Sequence, residues 1–386
     1  MATKSLVKTA GIGLAVAGLL LATNPLAAGA SPNVSLFLDG GSITGGFVAG
    51  NSNAMAVDSQ GNLFVVGAIN GSGAIVEMPT DGSASATIFA TTANLSGATP
   101  QTIAIDSSDD IFVYTSDNSI YEFPSGSSAN TNATEYAVLP LPQVPTFIAV
   151  VGSDLYAARY DDGSVYSVPT GLSSGLPTSS LTTFATGLVA PGVQGISANG
   201  NFLLVSDDNY PASGIYQLDT TQGPYANPAM WVDMSSDPTL APVDVAADGS
   251  GNIFIVDYAN RLYTVPSNSA TFSLYLSPVT DAGNVGAQGI LIAGSQVFLS
   301  AIDSAGGGNE SIYTLATYDG STTPSTTLPT TTTTVAGQVT TTTAIDEKTL
   351  AHTGIGSGLL ILAAGVFGDS GLVMMREVSR ARRRVN

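Results

Sequence analysis

A short apolar strand, a polar turn and a second apolar strand recur six times along the chain. The clearest copy is 251–266, GNIFIVDYANRLYTVP, with counterparts at 61–79, 109–124, 153–169, 200–219 and 295–316. The second apolar position of the first strand falls at Phe64, Phe112, Tyr156, Leu203, Phe254 and Phe298, in steps of 48, 44, 47, 51 and 44 residues. A repeat of that length built only from strand patterns predicts propeller blades rather than a helical solenoid. A strand of small residues precedes each copy, at 54–58, 102–106, 146–150, 195–199, 244–248 and 289–293. These are the expected innermost strands, because blades crowd together at the axis and larger side chains would clash there. Outermost strands are expected at 86–90, 135–139, 182–186, 230–234 and 272–277. The sixth copy has none after it, whereas SLFL at 35–38 has no blade of its own. That segment is predicted to complete blade six, closing the ring with both ends of the chain and hiding the sheet edges.

Two stretches, AMAVDSQGNLFVV and VDVAADGSGNIFIVD, resemble the repeats of the NHL and gluconolactonase-like six-bladed propellers. The resemblance covers roughly 35–317 and implies an all-β, six-bladed propeller. It implies little about function, since this architecture hosts enzymes, receptors and scaffolds alike.

The chain has 43 glycines, 44% apolar residues and 10% charged ones, the balance of a β-rich, turn-rich extracellular protein. With no cysteine, a disulfide framework, a thiol nucleophile and a cysteine metal site are excluded. The net charge is −19. Between residues 31 and 353 there are three cations, Arg159, Arg261 and Lys348, against 27 of the 29 acids, a balance of −24. Such a surface repels nucleic acid and anionic lipid.

Outside the propeller, assigned to 31–317, the chain reads as an export and anchoring system. Lys4 and Lys8, an apolar run at 10–22 and Ala28-Gly29-Ala30 predict a secretory signal over 1–30. Residues 318–349 are rich in Thr, Ser and Pro and cannot bury enough apolar surface to offset their chain entropy, so an extended stalk is expected. Its many hydroxyls make O-glycosylation an expectation. Leu350, Ala351, His352, Thr353 and Gly354 are followed by an apolar stretch at 355–375 and a basic tail at 376–386. This order resembles the cell-wall sorting signal of Gram-positive surface proteins, and the LAxTG form resembles the variant read by actinobacterial sortases. The resemblance implies a transmembrane helix that halts in the bilayer, arginines held inside, cleavage between Thr353 and Gly354, and transfer of Thr353 to a peptidoglycan precursor. Sortase and peptidoglycan are then the expected partners and the cell wall the expected location. Asp369 inside the apolar stretch, and Ala351 where proline is usual, leave a permanent single-pass membrane anchor as the alternative. LPTT at 328–331 lacks the glycine and reads as stalk.

The one histidine, His352, lies at the variable position of the sorting motif, so every His-dependent mechanism is removed from the propeller. The gluconolactonase-like resemblance implies an axial ion held by carboxylates and an Asn that stands before a Gly. Here Gln194-Gly195-Ile196 with Asp207 is the nearest counterpart, and Gln288-Gly289-Ile290 has no partner Asp. Asp207, Asp244 and Asp257 are the candidate oxygen ligands, suited to Ca²⁺, with solvated turn carboxylates as the plain alternative. Asn53, Gln101, Gln194 and Gln288, standing before inner strands, together with Tyr160, Tyr210 and Tyr258 in the longer turns, form a candidate face for a glycan or peptide. Turn chemistry alone would also place Asn, Asp and Gly there. Trp231 is expected to pack rather than bind. Arg159 and Arg261 are expected to form exposed ion pairs with turn acids, each contributing about 0–1 kcal/mol. The leading reading is a displayed, non-enzymatic binding or scaffold module without a cofactor. The alternative is a metal-dependent hydrolase or lactonase.

Overall fold

A computed structural model of the chain describes residues 34–315, apart from breaks at 50–52, 130, 141–143, 173–175, 177–179, 210, 238, 277–284 and 303–309, together with 334–335 and 338–339. The expected signal segment, the sorting motif, the apolar stretch and the basic tail lie outside the described residues. So does the stalk, apart from a ladder between Thr334–Val335 and Gln338–Val339. Among the described residues, no helix is long and apolar enough to cross a membrane.

The chain begins with β1 (Val34–Leu38), which belongs to the last blade. Blade one contains β2 (Phe47–Ala49), β3 (Met55–Val57), β4 (Asn62–Ile69), β5 (Ser72–Pro79) and β6 (Thr87–Thr91). Blade two runs through β7 (Pro100–Ile105), β8 (Ile111–Thr115), β9 (Ser119–Phe123) and β10 (Thr134–Val138). Blade three has β11 (Thr146–Val151), β12 (Asp154–Arg159), β13 (Val165–Pro169) and β14 (Thr182–Thr186). Blade four has β15 (Val193–Asn199), β16 (Phe202–Asp207), β17 (Gly214–Asp219) and β19 (Val232–Asp233), while the intervening β18 (Tyr225–Ala226) joins the sheet of blade three beside β14. Blade five comprises β20 (Pro242–Ala247), β21 (Ile253–Asp257), β22 (Leu262–Val265) and β23 (Ser273–Leu276). Blade six comprises β24 (Val285–Ala293), β25 (Gln296–Ile302) and β26 (Glu310–Leu315), completed by β1 antiparallel to β26. This is the predicted closure: an all-β, six-bladed ring joined by its amino-terminal strand.

The core consists of layers between blades rather than one central mass. Each of six buried apolar clusters joins two neighbouring blades. The repeat position identified in the sequence anchors them, since Phe64, Phe112, Tyr156, Leu203, Phe254 and Phe298 are all buried. In five blades that aromatic meets one from the outermost strand edge to face. Phe64 meets Phe89 at 5.1 Å, Phe112 meets Tyr136 at 5.0 Å, and Tyr156 meets Phe184 at 4.9 Å between centroids. Phe254 meets Tyr275 at 5.9 Å, and Phe298 meets Phe37 of the closing strand at 5.2 Å. Such pairs contribute about 0.5–1.5 kcal/mol beyond burial, so Phe37 gives the closing strand the same grip as any other outer strand. Blade four has Leu203 instead, and its outermost strand shrinks to two residues. Trp231 packs against the cluster between blades four and five, as expected of a packing residue.

Turns between the first two strands of a blade take two forms. Blades one, two and five use a carboxylate: Asp58 accepts from the N–H groups of Gln60 and Asn62, Asp106 from Ser108 and Asp110, and Asp248 from Ser250 and Asn252. Blades three, four and six instead turn at Gly152, Gly200 and Gly294, with φ near +60°, a region glycine enters without steric cost.

Candidate functional site

The small-residue stretches of the inner strands open at Ala54, Thr102, Thr146, Gly195, Asp244 and Gly289. Five of these are small or neutral, and one carries a carboxylate. In blades two, four, five and six a register break stands just before the opening residue. An extra residue in one strand re-aims its side chain out of the ladder. Gln101, Gln194 and Gln288, predicted as ligand-face residues, are the extra residues of three such bulges. Gln101 and Gln288 are half-buried, whereas Gln194 is buried, its amide donating to Asp208 Oδ2 at 3.0 Å. Tyr160 is half-buried and packs on the cluster between blades three and four, and Tyr258 is exposed. Tyr210 lies outside the described residues.

The axis itself is crossed by a side chain. Asn53, with φ +55°, pairs through its amide with the backbone of Ile196 in the opposite blade: Oδ1 accepts the Ile196 N–H at 2.7 Å, and Nδ2 donates to the Ile196 carbonyl. Its main-chain carbonyl accepts from Ile103 N–H at 2.9 Å, tying in blade two. Asp244 lies beside this bridge. One oxygen accepts from the N–H groups of Asn53 (3.3 Å) and Ile290 (3.1 Å), and the other from Val245 N–H (2.9 Å). Burial pushes the Asp244 carboxyl up to about 7, and these three donors pull it back. Gly195 makes room for it, since a Cβ there would lie 2.3 Å from Asp244 Oδ1.

The other two candidate ligands are elsewhere in the network. Asp207 is fully buried: Oδ1 accepts from Asn209 N–H at 2.9 Å, and Oδ2 has no hydrogen-bond partner. Burial raises its carboxyl to about 8, and the neighbouring Asp208 adds to the rise. Asp257 is held by Arg261, whose Nε and Nη2 lie 2.7 and 2.6 Å from Oδ2, while Oδ1 accepts from Ala259 and Arg261 N–H. Burial raises the Asp257 carboxyl and Arg261 opposes that rise.

Asp207, Asp244 and Asp257 do not converge, and among the described residues no three His, Cys, Asp or Glu side chains are grouped to hold a metal. The donors around Asp244 are peptide N–H groups, which stabilise an anion and would repel a cation. A Ca²⁺ ion, with its need for six to eight oxygens, does not fit this set. The arginines also depart from expectation. Arg159 is itself buried although its partners Asp161 at 3.0 Å and Asp162 at 3.5 Å are part-exposed, and Arg261 pairs with the fully buried Asp257.

No protein-family model matches the chain, and no curated protein does. The fold is shared with solved structures. A gluconolactonase from Xanthomonas campestris has 13% identity and a TM-score of 0.52 over 73% of this chain and 89% of its own. Regucalcin of Agrobacterium tumefaciens, described as a calcium-binding protein, has 13% identity and a TM-score of 0.52 over 74% of this chain and 94% of its own. A Bacteroides thetaiotaomicron protein of unknown function has 11% identity and a TM-score of 0.52 over 73% and 75%. At such identities the likeness shows the fold alone. The neighbours are gluconolactonase-like six-bladed propellers, and this chain has their architecture.

Proposed function

We propose that the chain is a non-enzymatic propeller displayed outside the cell, carried on its Thr-rich segment and joined to the wall by a sortase acting between Thr353 and Gly354. The observation that supports the non-enzymatic reading is the Asn53 bridge. The axial position where a propeller enzyme needs an ion and an open channel is occupied by a side chain and three N–H groups directed at Asp244. The support for wall attachment is the order of pentapeptide, apolar stretch and arginine-rich tail. The ring is then a rigid body presented to glycans or proteins, with a surface charge that disfavours nucleic acid.

Calorimetric unfolding after chelation, with and without millimolar Ca²⁺, tests the first part. No shift in melting temperature and no turnover of lactones or esters are expected. A calcium-dependent rise that Asp207→Asn abolishes would instead establish a metal site, because binding to the native state alone stabilises it by mass action, and turnover of lactones or esters would then establish the lactonase alternative. For the anchor, Thr353→Ala should move the protein from the wall to the membrane fraction, and unchanged wall attachment would refute the sorting claim.

A further inference from the structure

The outer edges of the blades are finished unequally. In blade two, β10 receives a parallel bridge from Leu176 to Ala137, and in blade three β14 is extended by the parallel strand β18. Both additions come from loops of the chain itself. Among the described residues, β6, β19, β23 and β1, of blades one, four, five and six, have no partner on their outer side.

The side chains change along with the edges. The same register position opposes Val76, Tyr121, Tyr166, Tyr263 and Tyr313 of the third strands in blades one, two, three, five and six. It is Glu135 and Thr183 in the covered blades, but Ile88, Leu274 and Leu36 in blades one, five and six, 44%, 39% and 54% exposed; the two-residue β19 of blade four does not reach this position. Ile88 also lines a cavity of about 330 Å³, bounded by Ser85 and Ala86 of blade one and by Ser42, Ile43 and Thr44 following β1. An unpaired row of N–H and C=O groups beside a groove that offers Ile43, Ala86 and Ile88 among the hydroxyls of Ser42, Thr44 and Ser85 is a template for strand addition.

We propose that the edge of β6, with the groove between blades six and one, binds an extended segment of another polypeptide whose apolar side chains alternate with basic ones. Blades two and three show within this fold that an outer edge accepts further parallel backbone. The alternation follows from the strand period, which directs one side chain in two into the groove. The basic character follows from charge: residues 31–353 carry −24, and among the described residues the cations are Arg159 and Arg261, both ion-paired away from this groove. The same charge opposes a second copy of the chain as the occupant. This site extends the display reading, yet it fails separately, since loss of peptide binding would leave Thr353-dependent wall attachment untouched.

The test uses the full chain and a fluorescein-labelled peptide, Lys-Val-Lys-Ile-Lys-Val-Lys, followed by anisotropy. A control of equal charge replaces both valines with proline, which cannot donate to the ladder. Binding is expected to weaken at least tenfold for the proline peptide, for Ile88→Lys and for the uncharged variant Ile88→Ser, with melting temperature checked for each. Thr183→Lys, on a covered blade, should change it less than twofold. The proposal is overturned if wild-type chain fails to bind the peptide, if the proline peptide binds as well, or if Ile88→Ser binds like wild type. Self-association of the free chain that Ile88→Lys abolishes would overturn it too, by assigning the edge to a second copy.

Discussion

The layers between blades and the axis they surround are built on opposite principles. The layers repeat: the same aromatic or large aliphatic residue fills each of six junctions, and five of them add an edge-to-face partner from the outermost strand. The axis does not repeat. One carboxylate replaces a small or neutral residue, and one asparagine joins opposite blades. Repetition buries area at every junction and supplies stability, whereas a point shared by six blades has room for one solution, so it must be asymmetric. Here that asymmetric point is a tie between blades.

The comparison breaks most visibly in a layer. Phe112→Ala removes a fully buried ring and its contact with Tyr136, and should cost about 3–5 kcal/mol in denaturant unfolding. Leu203→Ala, at the junction without an aromatic pair, should fall at the lower end of the range for such truncations, about 2–5 kcal/mol. Equal losses at both would mean that the aromatic pairs add nothing.

The axis should respond less, and in coupled fashion. Asn53→Ala leaves the Ile196 peptide without its partners and places alanine at φ +55°, a loss of about 1–3 kcal/mol. Asn53→Gly relieves the backbone and not the hydrogen bonds, so the difference between the two variants isolates the bridge. Gly195→Ala drives a methyl against Asp244 and should cost about 1–3 kcal/mol. That cost should shrink in an Asp244→Ala background, and simple additivity in the double-mutant cycle would sink the claim that the two share one space.

A separate effect is one of pH. Asp207 binds its proton more tightly folded than unfolded, with a carboxyl near 8 against 3.8 for the ordinary group. Its contribution to stability is therefore complete below about pH 4 and is lost as pH rises through 8. Asp207→Asn cannot ionise, so its melting temperature should rise relative to wild type as pH is raised from 5 to 9. Asp244 and Asp257 are also raised by burial, but they are present in both proteins and cancel in the difference. A gap independent of pH would show that the Asp207 carboxylate is solvated.

Much of this was legible in the sequence. The six copies of the strand pair, the small inner strands and the orphan SLFL all predicted the ring and its closure, because each blade pairs strands that are neighbours in the chain. The axis also left one readable mark: Asp244 stands where the other inner strands begin with Ala54, Thr102, Thr146, Gly195 and Gly289. Its meaning was not readable. It suggested a cation ligand, whereas the structure surrounds it with peptide N–H groups. Asn53 stood out only as a residue before an inner strand, since its partner Ile196 is 143 residues away and Asp244 is 191 away. The two-residue strand β18 is too short to carry any alternation, so the covering of β14 was invisible as well.

The sequence by itself determined the number of blades, the strand that closes the ring and the residues that fill its layers, since local periodicity and burial specify these. Only the tertiary structure decided what occupies the axis and which outer edges remain open. Those features depend on ring radius and on where loops of one blade fall against another, and no local pattern records distances between residues so far apart in the chain.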